Sequence, residues 1–253
     1  MNIRVVKIGG AALTDAGWLS TFAAAAAAAR EPLVIIHGGG PEISALSDRL
    51  GIEVRWHEGR RVTPPEALDV AAMVLNGSVN RRVVSALVSA GVDAVGLCGV
   101  DGGLLRAELV ADGALGRVGH ITAVRTDLLR TLLHLGHTLV LSPLSIGTDG
   151  DALNVNADDA AAAVAAALGA EELLFLTDVP GVRDTAGMRA GLDAGEAAAL
   201  IDAGVAHGGM SVKLRAAMKA LDCGVPAIRI GDARVLFDHT AGTMLRPVSL
   251  GAA

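Results

Sequence analysis

The chain has 253 residues, 52% of them apolar and 19% charged, enough to bury a sizeable core and too apolar for a disordered chain. A net charge of −6 excludes the bulk electrostatic attraction that non-specific nucleic-acid or anionic-membrane binding needs. Cys98 and Cys223 are the only cysteines and form no CxxC pair, which excludes a disulfide framework and a thiolate zinc site and points to a reducing, cytoplasmic setting.

Short β-branched runs alternate with longer Ala/Leu-rich segments, the pattern of a parallel sheet covered by helices. Met1 to Gly10 carries no secretory zones and leads into a first strand at Ile3–Ile8. Further buried strands are expected at Leu33–His37, Ala94–Leu97, Thr138–Ser142, Leu173–Leu176 and Ala227–Ile230. Helices are expected at Trp18–Arg30, Glu42–Leu50, Pro65–Leu75 and Asn80–Ala90. Others follow at Asp127–Leu135, Asp158–Leu168, Ala194–Asp202 and Ser211–Asp222. The alanine run Ala23–Ala29 reads as a helix with a small, close-packing face. Polar segments at Glu53–Pro64 and Gly99–Gly119 read as hairpins or flaps. The uncharged stretch Thr131–Thr148 contains His134, Gly136, His137 and Pro143, which argues against a membrane span. The expected fold is α/β, a three-layer α/β/α sandwich with a mainly parallel central sheet and no linker, so any division is into lobes.

Six segments carry chemistry. Val5–Gly10 is a strand ending in a lysine and two glycines, whose bare amides can approach a phosphate while Lys7 neutralises its charge. Leu33–Pro41 again ends in glycines, here opening a helix. The Rossmann fingerprint fails because Ile43 stands where its third glycine belongs, although Glu58 could serve as a ribose partner; the phosphate loop GxxxxGK[ST] is also absent. His37 reads as a packed strand-end histidine. In Gly59–Pro64, an arginine fork can grip a carboxylate bidentately. Leu153–Asp159 holds more polar residues than one N-cap at Asn156 or Asp158 explains, so amides and a carboxylate converge at a strand-to-helix junction. Leu176–Val182 runs from a strand into a Pro-Gly turn, where open α/β sheets bind nucleotides. Gly208–Leu214 places Lys213 in the expected first helical turn, where the helix dipole disfavours a cation unless an anion joins it. The seven histidines form no metal set, since no carboxylate or cysteine completes a site around His134 and His137.

Taken together and in order, KIGG, HGGGPE, GRRVT, LNVNAD, LTDVPGV and GGMSVK resemble the amino acid kinase family over nearly the whole chain. The RVT, NVNAD and GGM-x-x-K segments resemble the branch that acts on acetylated glutamate. The resemblance implies ATP- and Mg²⁺-dependent phosphorylation of the side-chain carboxylate of N-acetyl-L-glutamate, in arginine biosynthesis. It implies catalytic roles for Lys7, Lys213 and Asp158, the lysines flanking the transferring phosphoryl group and Asp158 orienting both. Gly39, Gly40, Arg61 and Asn154 would hold the acylated amino acid, with Arg61 on its α-carboxylate. ATP would meet Gly9, Gly10, Asp178, Val179, Pro180, Gly181, Val182, Arg183, Val205, Ala206 and His207, with Mg²⁺ held largely by phosphates and no metal site in the protein. The resemblance further implies a substrate and dimerisation lobe over residues 1–143 and an ATP lobe over 144–253. Arginine-inhibited members carry a helix before the first strand, so a chain opening almost at that strand is expected to be an arginine-insensitive homodimer.

Two alternatives stay open. A kinase of the same fold acting on aminoadipate or glutamate linked to an acidic carrier protein would need a basic docking surface, for which Arg60–Arg61 and Arg81–Arg82 are the candidate pairs. A non-catalytic nucleotide sensor would not need Lys7, Asp158 and Lys213 together.

Overall fold

Alternating side-chain directions along the short strands set the layering. The computed structural model describes residues 1–57, 59–110 and 114–247. Strand β1 (Arg4–Ile8) leads through helix α1 (Ala16–Ala27) to β2 (Leu33–His37) and α2 (Gly40–Arg49). The hairpin β3 (Trp56–His57) and β4 (Arg60–Arg61) precedes α3 (Pro65–Ala72), α4 (Asn80–Ser89) and β5 (Ala94–Cys98). Next come β6 (Leu105–Leu109), β7 (Val118–Val124), α5 (Thr126–His134), β8 (Thr138–Ser142), β9 (Ser145–Gly147) and β10 (Ala152–Val155). The chain continues through α6 (Ala157–Leu168), β11 (Glu172–Leu176), β12 (Arg183–Asp184), β13 (Gly187–Met188) and β14 (Gly191–Asp193). It closes with α7 (Ala194–Asp202), α8 (Gly208–Asp222), β15 (Ile228–Gly231) and β16 (Thr243–Arg246).

Eight strands form one sheet in the order β14-β16-β15-β11-β1-β2-β8-β5, parallel throughout except for the β15–β16 pair. Val5, Val34, Ile36, Leu139, Leu141 and Phe175 face a core shared with α5, α6 and α8. Their sequence neighbours Val6, Ile8, Leu33, Ile35, Val140 and Leu174 face a second core shared with α1, α3 and α4. This period-2 partition makes the three layers. Helix α1 starts where Asp15 accepts N–H groups from Gly17 and Trp18, and it buries Ala23, Ala25 and Ala26 with Phe22. Among the described residues, no helix is long and apolar enough to cross a membrane.

The structure corrects several boundaries. The helices expected at Pro65–Leu75 and Asn80–Ala90 form one run, joined by a π-helical segment at Met73–Val79. Helix α8 starts at Gly208 rather than Ser211, which moves Lys213 into the second turn. The expected flap at Gly99–Gly119 contributes to a closed four-stranded barrel, β10-β7-β6-β9. Residues 111–113 of that flap, and Glu58, lie outside the described residues. The sheet strands β14 and β16 were not expected.

The carboxyl ends of β1, β2 and β11 lie side by side, since β1 pairs with both others. The chain crosses from β1 to β2 in one direction and reaches β11 in the other, so a crevice opens at their ends, the usual ligand position in such sheets. At the opposite end, Glu172 accepts hydrogen bonds from Arg4 at 3.0 Å and Arg229 at 2.6 Å. Arg4 also donates to the carbonyls of Leu236 and Val235, and Arg229 to that of Ala241. Burial pushes the Glu172 pKa up, but the Arg229 hydrogen bond and the two guanidinium charges outweigh it and hold the carboxyl below its ordinary value.

Candidate active site

Two glycine loops form the floor of the crevice, and their glycines do different work. A Cβ on Gly10 would lie 2.8 Å from Gly39 Cα and N, so the loops after β1 and β2 touch backbone to backbone. A Cβ on Gly39 would meet Leu75 Cδ2 at 2.9 Å. Gly9 and Gly40 have nothing within 4 Å of such an atom and face open space. Gly39 caps α2 without a side-chain hydrogen bond, so the first amides of that helix are free to meet an anion.

Below this floor His37 is fully buried. Its Nδ1–H donates to the Gly38 carbonyl at 3.1 Å, and Nε2 accepts from Asn80 Nδ2 at 3.1 Å. Burial, opposed by the Gly38 hydrogen bond, brings its pKa down to about 4, so it is neutral and holds the loop rather than acting as a base.

Above the floor lies a cleft of about 480 Å³ lined by Lys7, Gly9, Asp158, Asp178, Gly209 and Lys213, with Asp15 and Trp18 at its rim. Lys7 Nζ lies 2.8 Å from Asp158 Oδ1, both side chains largely buried. Lys213 forms no ion pair within 4 Å among the described residues, so Asp158 contacts one lysine directly and reaches the other only through space. Burial and then the Lys7 charge depress the Lys213 pKa, while Asp178 and Asp158 partly restore it. The sequence-level conflict of a cation at a helix start is therefore replaced by a cation half-buried beside another cation. Asp178 accepts the Thr177 hydroxyl at 2.9 Å.

A second, smaller cleft of about 150 Å³ has Gly39, Gly40, Trp56, Arg60, Arg61, Asn154 and Ala157 in its walls, and Ala157 directly precedes Asp158 of the larger cleft. Its size is well below the roughly 300–1,000 Å³ of sites for drug-sized ligands and suits a small acid, whereas the larger cleft falls within that range. Arg61 Nη2 donates to Gly40 O at 3.0 Å and Ser44 Oγ at 2.8 Å. Its Cζ lies 4.6 Å from the Trp56 ring centroid. Among the described residues nothing accepts from Nε–H or Nη1–H, but both bidentate faces of a guanidinium use Nη2, so the expected fork is reduced to single donors. Burial lowers the Arg61 pKa from its usual value, yet a guanidinium stays charged. Asn154 Nδ2 donates to Thr63 Oγ1 at 3.0 Å, which ties the barrel to the segment after β4.

The polar surplus in Leu153–Asp159 resolves into separate tasks. Asn156 caps α6 by accepting from the Asp158 and Asp159 amides. Asp158 holds Lys7, Asn154 holds Thr63, and Asp159 pairs with Arg60 and Lys219. Of the residues expected on ATP, Gly9 and Asp178 line the larger cleft; Gly10 lies beneath it, packed on Gly39. Val179, Pro180, Gly181, Val182, Arg183, Val205, Ala206 and His207 lie outside its lining. Val182 and Ala206 are core residues whose amides already donate to Thr243 Oγ1 and Leu200 O. Asp15, Trp18 and Trp56 were not foreseen; a tryptophan in the polar hairpin was the available signal for the last.

The sequence model described as the amino acid kinase family matches residues 2–232. The chain is 45% identical over 245 residues to an acetylglutamate kinase of Chloroflexus aurantiacus, covering 96% of each. It is 48% identical over 228 residues to an acetylglutamate kinase of Roseiflexus sp., covering 89% of this chain and 87% of the relative. The crystal structure of smu.665 from Streptococcus mutans superposes with a TM-score of 0.80 at 29% identity, covering 97% of this chain and 98% of the other.

Proposed function

The chain belongs to the amino acid kinase family, and from that premise we propose that it transfers the γ-phosphoryl group of ATP to the side-chain carboxylate of N-acetyl-L-glutamate, a step of arginine biosynthesis. The observation that carries this reading is a small cleft holding a buried arginine and a larger cleft holding two lysines, brought close by the Gly10–Gly39 backbone contact and by the adjacent residues Ala157 and Asp158.

The acceptor carboxylate, which ordinarily titrates near a pH of about 4.3, is already ionised, so no general base is required. The difficulty is bringing an anion onto an anionic triphosphate, which calls for position and positive charge. Arg61, fixed by Gly40, Ser44 and Trp56, offers its charge and a single Nε–H or Nη1–H donor to the α-carboxylate. Asn154 and the amides at Gly39 and Gly40 complete the acyl-substrate site. Lys7 and Lys213 stabilise charge on the transferring group, and Asp158 keeps Lys7 extended into the cleft. ATP lies over Gly9 and Asp178, with the Val179–Arg183 turn and Val205–His207 toward its nucleoside end. Among the described residues no cluster of three or more His, Cys, Asp or Glu is arranged to hold a metal. Mg²⁺ carried by the ATP phosphates would supply further charge neutralisation, with Asp178 of the larger cleft the carboxylate proposed to face it.

Free acylated glutamate is favoured over a carrier-linked acid because Arg60, Arg81 and Arg82 are engaged internally and Arg61 is buried in the wall of the small cleft. Arg60 pairs with Asp159, Arg82 with Glu42, Arg81 with Asn80 and Arg61 with Gly40 and Ser44. We read residues 1–143 as the half that binds the acyl substrate and dimerises, and 144–253 as the ATP half, with Asn154 reaching back across that boundary. Strand β5 is one sheet edge, paired only with β8 among the described residues, and supports a homodimer formed edge to edge. Two free cysteines and a biosynthetic role fit a cytoplasmic enzyme.

The test is steady-state turnover of MgATP and N-acetyl-L-glutamate by Lys7→Met and Lys213→Met. Each is expected to lower kcat by roughly 10²-fold or more while circular dichroism stays unchanged, because charge stabilisation dominates this chemistry. Near-normal turnover in either variant would refute its assigned role.

A further inference from the structure

Asp159 joins elements that otherwise belong to different clefts. It follows Asp158 in the first turn of α6, and the Asn156 cap fixes both amides. The two carboxylates part from there. Asp158 goes to Lys7, whereas Asp159 Oδ2 accepts from Arg60 Nη2 at 3.3 Å and Oδ1 accepts from Lys219 Nζ at 2.5 Å. Arg60 stands on β4 beside Arg61, in the hairpin that walls the acyl cleft. Lys219 stands on α8, the helix that carries Lys213 into the nucleotide cleft. One carboxylate therefore ties the wall of one cleft to the lysine-bearing helix of the other, through the same helical turn that positions Lys7.

We propose that Asp159 is a positioning residue that couples placement of the Arg60–Arg61 hairpin to placement of the Lys213 helix; this rests on the phosphoryl transfer proposed above. An exposed ion pair is worth little, and Lys219 is 53% exposed. The Asp159 and Arg60 side chains are only 20% and 27% exposed, and the two cations come from elements that share no other ion pair among the described residues. The consequence of removing the carboxylate is thus kinetic rather than a large loss of stability. Loosening the hairpin weakens the grip on the acyl substrate, and loosening α8 misplaces Lys213.

The kinetic signature follows from this division. Asp159→Asn is expected to raise KM for N-acetyl-L-glutamate and to lower kcat, each about five-fold, the upper range for such pairs. Asp159→Glu should recover most of both effects. Arg60→Gln should reproduce the KM change, Lys219→Gln the kcat change, and Arg60→Gln added to Asp159→Asn should raise KM no further. Parent-like KM and kcat in Asp159→Asn, or effects of Asp159→Asn and Arg60→Gln that simply multiply, would overturn the proposal. Amide hydrogen exchange without any substrate gives a second readout. Asp159→Asn should speed exchange at Trp56, His57, Arg60 and Arg61 and in the first two turns of α8, while β1 stays protected as the control for folding. Unchanged exchange in both segments overturns the coupling. A parent enzyme with no turnover of N-acetyl-L-glutamate would refute the assigned reaction and leave hydrogen exchange to decide the coupling.

Discussion

At His37 burial and function pull in one direction. The ring is desolvated, donates through Nδ1–H to Gly38 and accepts from Asn80, an arrangement that only the neutral tautomer can satisfy. The unfolded chain takes up a proton near pH 6.5, whereas folded His37 does so only near pH 4. Its contribution to stability is therefore complete above pH 6.5 and is lost as pH falls through that window, by about 3 kcal/mol at the lower end. Urea unfolding at pH 7 and pH 4.5 should show a smaller acid loss in His37→Gln than in the parent; equal losses would contradict this assignment. The sequence reading of His37 as a packed strand-end histidine agrees with its full burial, while its Asn80 partner had no local signal. Lys213 was found for a reason that did not survive. Its dipole conflict disappears once α8 begins at Gly208, and burial beside Lys7 takes its place.

Among the elements, the two glycine loops carry the most specific demand. Gly10 and Gly39 are in backbone contact, while Gly9 and Gly40 face open space. Gly10→Ala should force the loops apart and lower Tm by roughly 5 °C, the scale of overpacking in a protein of this size. Gly9→Ala should leave Tm within about 1 °C and raise KM for ATP instead, because its added methyl meets no protein atom. Differential scanning calorimetry with initial-rate kinetics checks both, and a Gly9→Ala variant as unstable as Gly10→Ala would contradict the division. The buried strands were legible because each is a continuous apolar run with glycine or a polar residue at its end. The barrel was not, since its strands mix apolar with polar and charged residues instead of forming continuous apolar runs, and Gly119 packs against Leu153 some thirty residues away. The π-helical join at Met73–Val79 was also missed, because Asn76–Gly77–Ser78 reads as a break; in the fold Asn76 accepts from Ser142, and Leu75 packs under Gly39.

On the scale of the molecule, one sheet carries two ionic constructions at its two ends. The Arg4–Glu172–Arg229 cluster ties three neighbouring strands and the Ala233–Leu236 turn together, while the Lys7–Asp158 and Asp159 pairs lie at the end that carries the clefts. The first is built from residues isolated in sequence and gave no local signal, whereas Lys7, Asp158 and Lys213 each stand in a recognisable segment. The β5 edge, at the end of the sheet opposite the β14 edge, is the proposed dimer seam, and light scattering should return a mass of about twice 25.5 kDa; a monomer mass would contradict the edge-to-edge dimer. The most direct test of the whole is an acyl-phosphate hydroxamate assay with MgATP, comparing N-acetyl-L-glutamate, L-glutamate, L-aspartate and L-2-aminoadipate. Turnover confined to N-acetyl-L-glutamate is the result that the proposed reaction predicts. No product with N-acetyl-L-glutamate, or faster turnover of one of the free amino acids, would contradict the assigned reaction.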